Sequence, residues 1–90
     1  MYLALFYETV DNYVERRQPF RELHLEYATG WREQGKLILA GATRPDGALL
    51  IFKTDDPLDA ENFAKNDPYV VNGLISKWSV KEWVVVIGNQ

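Results

Sequence analysis

Residues 36–54 read KLILAGATRPDGALLIFKT. Two apolar runs of strand length, 36–42 and 48–54, flank Arg44-Pro45-Asp46-Gly47. Pro presets φ for a turn, Asp bonds its own backbone, and Gly accepts positive φ, so the four residues predict a tight turn and the whole stretch a β-hairpin. Upstream, Gly35 is a helix stop. The segment 19–34 before it has helical period, with Pro19 in the first turn, Phe20, Leu23, Tyr27 and Trp31 on one stripe, and Glu22, Glu26 and Glu33 opposite. Residues 9–18 before that are polar and turn-like, and 2–7 form a short apolar strand. Downstream, Asp56 and Pro57 read as N-cap and first residue of a second helix running to about residue 65. Asp67-Pro68 restarts a short turn of helix that Gly73 ends, and 75–87 reads as a long last strand. The order β-α-β-β-α-β predicts an α+β, ferredoxin-like domain: a four-stranded antiparallel sheet with both helices on one face. Residues 1–90 are expected to form one domain, with no linker, repeat or low-complexity tract.

A chain of 90 residues that is 47% hydrophobic and 13% aromatic carries more apolar surface than so small an interior hides. The strands show where the surplus lies. A sheet with one face in water alternates apolar and polar residues. Instead Leu3-Ala4-Leu5-Phe6, Leu37-Ile38-Leu39-Ala40, Leu49-Leu50-Ile51-Phe52 and Val84-Val85-Val86-Ile87 are apolar on both faces. Two helices shelter one face. A second copy of the sheet is the simplest cover for the other, which predicts a homodimer in the form of a dimeric α+β barrel.

Charge and composition exclude several functions. The net charge of −3 argues against nucleic acid as a partner. With no Cys and a single His, thiolate metal sites, cysteine nucleophiles and a two-histidine metal site within one chain are excluded; carboxylates alone could hold Mg²⁺ or Ca²⁺, but no ligand spacing suggests such a site, so no metal is expected. No phosphate-cradling Gly-rich loop and no serine nucleophile elbow is present. The first residues lack the basic lead and cleavage site of a signal peptide, and no apolar run approaches the ~18 residues of a membrane span, so a cytoplasmic protein without membrane association is expected.

The residues that can carry chemistry gather around the first helix. At 3.6 residues per turn Arg17, Arg21, His24 and Ala28 share a stripe beside the core stripe. His24, at the edge of an apolar face, is placed to act as a neutral base or simply to bond a backbone carbonyl. Arg17 and Arg21 suit a carboxylate or phosphate ligand, or pair with Glu15 and Glu22 on a solvated face. Asp67 caps the turn opened by Pro68, and is also of the right type to orient an imidazole. Tyr69 offers a phenol to a ligand or to packing. Gly41 marks a bulge or a close approach of ligand to backbone.

Taken in order, Arg17-x-x-x-Arg21-x-x-His24, Gly35-Lys36-Leu37, Ala40-Gly41, Asp67-Pro68-Tyr69-Val70-x-x-Gly73 and Val80-Lys81 resemble the YciI-like (YCII-related domain) family over nearly the whole chain. The resemblance implies a ferredoxin-like fold, a dimeric α+β barrel, and an active site centred on His24 and Asp67, with Arg17, Arg21, Tyr69 and Gly41 toward substrate. Family precedents imply proton transfer, of isomerase or lyase type, on a small, anionic organic molecule without metal or organic cofactor. A non-catalytic small-acid binding module and an accessory dimer are the alternatives. Where many relatives carry Pro after Ala-Gly this chain has Ala42, and its 44–47 turn is tight, so the pocket rim is expected to be more open.

Overall fold

The computed structural model describes residues 1–88; residues 89 and 90, part of the single-domain expectation, lie outside the described residues. The elements are β1 (Tyr2–Thr9), a one-turn helix α1 (Tyr13–Arg16), a 3-10 turn (Gln18–Phe20), α2 (Arg21–Glu33), β2 (Leu37–Ala42), β3 (Ala48–Lys53), α3 (Asp59–Asn66), α4 (Pro68–Val71) and β4 (Ile75–Trp83). The strands form one antiparallel sheet in the order β2-β3-β1-β4, the ferredoxin-like arrangement expected.

Register sorts the strand residues onto two faces. On the helix face, Leu3, Leu5 and Tyr7 of β1 stand opposite Phe52, Leu50 and Ala48 of β3 and Glu82, Val80 and Trp78 of β4. This face joins Phe63, Ala64, Tyr69 and Leu74 from α3, α4 and the turn after them in one core, where Trp31, Phe52 and Phe63 meet edge-on. The open face carries Leu39, Ile51, Ala4 and Lys81 in one row and Gly41, Leu49, Phe6 and Ser79 in the next. Three strands are thus apolar on both sides, as expected, and Phe6 and Leu39 stand 41% and 68% exposed. The fourth differs. β4 ends at Trp83 rather than at residue 87, and it alternates, with Lys77, Ser79 and Lys81 on the open face. Its pairing stops because β1 begins at Tyr2, opposite Trp83, and offers nothing further to bond. Val84, Val86 and Ile87 are left exposed.

Local chemistry explains the helix ends. α2 closes in a Schellman arrangement: Gly35, at φ 78°, donates to Arg32 O and Lys36 donates to Trp31 O. Two other boundaries depart from expectation. Residues 13–16 wind into a turn of helix within the segment read as loop. The second helix starts at Asp59, because the chain first makes a tighter turn in which the Asp59 N–H bonds Asp56 O and the Leu58 N–H bonds the Asp56 carboxylate. The face of α2 is also rolled. Leu23, expected in the core stripe, is 55% exposed, while His24 turns inward beside Phe20, Tyr27 and Trp31. At about 100° per residue the two lie on opposite sides of Phe20, so only one can face the sheet. The hydrogen bond between the imidazole and Asp67 decides for His24.

Candidate active site

Small side chains make the space for the site. Ala28 on α2 faces Ala40 and Ala42 on β2 and Ala48 on β3, where larger residues would close helix onto sheet. The result is a cleft of about 310 Å³. Its floor includes Tyr7 and Leu50, its roof Arg17, Arg21, His24 and Leu25, and its end wall Tyr13 and Tyr69. Arg17, Arg21, His24, Tyr69 and Gly41 all reach this one cleft.

Asp67 stands directly behind it, fully buried. Its carboxylate takes three donors: His24 Nδ1 lies 2.7 Å from Oδ1, the Tyr69 backbone N–H 3.0 Å from the same oxygen, and the Tyr7 hydroxyl 2.7 Å from Oδ2. The Tyr69 bond is the helix cap expected of Asp67. The His24 contact joins residues 43 apart in the chain. An ionised carboxylate only accepts, so the hydrogen-bond pattern assigns the proton of neutral His24 to Nδ1. Nε2 then carries the lone pair, and it has no protein partner among the described residues. The imidazole is pinned as well as oriented, stacked flat on the Tyr69 ring at a centroid distance of 3.8 Å and an angle of 5°.

Tyr7 is the member of this network that sequence reasoning missed. Burial, reinforced by the Asp67 charge and the bond to it, drives the Tyr7 phenol well above its usual pKa, so it stays a donor. A signal existed: Tyr7 shares the inward parity of Leu3 and Leu5, and a phenol sent into a core needs a polar partner. The alanines were missed too, since one small residue in a strand or helix says nothing about the residue it will face. Burial also raises the Tyr69 phenol, while Arg17 and Arg21 pull it back. Arg17 lies over the Tyr13 ring, 5.1 Å from its centroid, and Arg21 is exposed at the rim. Gly41 lines the cleft but marks no bulge: the irregularity in β2 falls between Leu37 and Leu39, where the strand shifts register against β3. A Cβ at Gly41 meets no protein atom within 4 Å, so nothing in the chain requires glycine there. Among the described residues no three His, Cys, Asp or Glu side chains gather as a metal site needs, and no helix is long and apolar enough to cross a membrane.

The sheet order, the helices gathered on one face and the cleft between α2 and the β2 edge define a ferredoxin-like α+β protein. Within that class the chain belongs to the YCII-related domain family, which matches residues 1–84. Its structure is similar to that of 5-chloro-2-hydroxyhydroquinone dehydrochlorinase (TftG) from Burkholderia phenoliruptrix AC1100, solved in complex with 2,5-dihydroxybenzoquinone. The two superpose with a TM-score of 0.79 at 20% identity, over 93% of this chain and 94% of that one. No curated protein matches the sequence.

Proposed function

We propose that the chain is a small-molecule enzyme of isomerase or lyase type that moves protons with its own side chains, using neither metal nor organic cofactor. The observation that carries this is the 2.7 Å bond between His24 Nδ1 and the buried Asp67 carboxylate. It turns Nε2 into a base with a lone pair, and when Nε2 takes a proton the carboxylate stabilises the imidazolium. Arg17 and Arg21 on the same wall suit an anionic substrate, and about 310 Å³ suits a compound of one ring. The similar dehydrochlorinase, bound to a dihydroxybenzoquinone, supports hydroxylated ring compounds as the first to try. The functional unit is a homodimer in which the apolar patch around Phe6 and Leu39 packs on a second copy. Exposed apolar side chains on a sheet face that no helix covers support that assembly.

The test is a panel of hydroxylated and halogenated quinols, quinones and unsaturated lactones incubated in D2O and followed by NMR. It reads both conversion and simple exchange of a carbon-bound proton. The expected result is conversion or deuterium uptake for at least one compound, falling by a factor of about 10²–10⁴ in His24→Ala. An undiminished rate in that variant refutes the assignment. A compound that raises the melting temperature yet returns unaltered and undeuterated makes the protein a binding module instead.

A further inference from the structure

Two buried side-chain atoms among the described residues lack a hydrogen-bond partner in the protein: Arg17 Nε and Tyr69 Oη. Both residues line the cleft that holds His24. Buried polar atoms nearly always find partners, so two orphans in one cleft call for a shared reason. Neither is free to search elsewhere. Tyr69 is 2% exposed, its ring held flat by His24 and edge-on by Tyr13 at 5.8 Å, and its backbone N–H is tied to Asp67. Arg17 rests on the other ring of the same stack, Tyr13. The guanidinium nitrogen only donates. The phenol, protonated at neutral pH and held so more firmly by burial, is a donor as well. The Tyr13 ring joins the two orphans in one cluster, its centroid 5.8 Å from that of Tyr69 and 5.1 Å from the Arg17 guanidinium carbon.

We propose that Tyr69 Oη and Arg17 Nε form a two-donor seat for one substrate oxygen that gains negative charge during the reaction. The substrate class is thereby narrowed to compounds whose carbonyl oxygen is conjugated to the C–H bond that His24 breaks. This rests on the reading of the cleft as a proton-transfer site, and it makes Tyr69 a catalytic residue in addition to the wall against which His24 stacks. In the step, His24 Nε2 takes a proton from carbon. The C–H electron pair becomes a C=C bond, and the carbonyl π pair moves onto oxygen, where both donors hold the enolate. The imidazolium returns the proton to another carbon of the conjugated system and the electrons flow back. Nothing else is consumed. Fixed donors stabilise the charged oxygen more than the neutral carbonyl, which is what accelerates the step.

The test is equilibrium binding of 2,5-dihydroxybenzoquinone, anionic and coloured at neutral pH, to the wild-type protein, Tyr69→Phe, Arg17→Lys and the double variant, each shown to be folded by its thermal transition. Tyr69→Phe keeps the ring stack and the backbone N–H; Arg17→Lys keeps the charge and loses the Nε donor. Each single variant is expected to weaken binding roughly tenfold or more. The double variant is expected to lose less than the product of the two, because both donors serve one oxygen. Neutral hydroquinone should bind all four proteins alike. Unchanged affinity in either single variant, multiplicative losses in the double variant, or no binding by the wild-type protein overturns the seat. Because the readout is equilibrium binding, a wild-type rate in His24→Ala would refute the base while leaving the seat standing. Unaltered affinity with His24-dependent turnover would do the reverse.

Discussion

Removing the Asp67 carboxylate should cost this protein a large part of its stability, and the structure says how much should return with an amide. In Asp67→Ala the Tyr7 hydroxyl and the Tyr69 N–H, both buried, lose their acceptor. Each such orphan costs about 1–3 kcal/mol. His24 is less affected: its side chain is 15% exposed, and its proton can move to the other nitrogen. Part of the loss is returned because a buried charge is no longer desolvated. A net loss of about 3 kcal/mol follows, against a total of roughly 5–13 kcal/mol for a chain of this length, and lowers Tm by roughly 12–24 °C. Asp67→Asn behaves differently. The backbone N–H of Tyr69 cannot turn round, so the amide oxygen must occupy the Oδ1 position, which also preserves the bond from His24. The amide NH2 then faces the Tyr7 oxygen, which can accept. The Asn variant should lose only about 1 kcal/mol, one neutral hydrogen bond's worth. Urea unfolding followed by Trp fluorescence measures both. The single histidine allows a second check, because its nitrogen-15 shifts should report one tautomer, protonated at Nδ1, in wild type and Asn, and a mixture in Ala. A loss below about 0.5 kcal/mol in Ala, or equal losses in Ala and Asn, would refute the three-donor account.

Other outcomes follow from the same structure. Gly47, at φ 115°, has no room for a side chain: a Cβ would lie 2.7 Å from both Thr43 Oγ1 and the Tyr7 carbonyl oxygen, so Gly47→Ala should lose roughly 1–3 kcal/mol in a urea titration. The Tyr7 phenol holds its proton more tightly folded than unfolded, so its contribution is complete below the unfolded pKa of about 10 and is lost as pH rises toward the higher folded value. Stability should therefore fall above about pH 10 by up to ~1.4 kcal/mol per pH unit for this group, and Tyr7→Phe should fall less steeply. An identical slope in the variant would contradict the assignment. Phe6→Asp, on the open face of the sheet, should leave the helix-side core intact and convert the proposed dimer to monomer in sedimentation velocity. An unchanged sedimentation coefficient would rule that face out as the interface.

Much of this protein is decided by features that act within a few residues. The β2–β3 hairpin with Gly47 at positive φ, the Gly35 helix stop and the Asp67 cap all depend on side chains bonding or freeing their own backbone, and each was legible without a fold. Helical period likewise put Arg21 and His24 on one side of a helix, although Arg17, read on the same stripe, falls in the turn between α1 and the 3-10 segment, and apolar runs on both strand faces announced a sheet in need of cover. Tertiary structure decided what those features meet. Only the sheet order brings Tyr7 across 60 residues, and His24 across 43, onto one carboxylate. Only that network explains why α2 rolls His24 inward and leaves Leu23 in solvent, against the simplest reading of its apolar stripe. The end of β4 at Trp83 was hidden for the same reason, since a strand lasts as long as its neighbour and not as long as its own apolar run. Periodicity is a property of one segment, whereas a buried hydrogen bond between segments exists only once packing has excluded water from both partners.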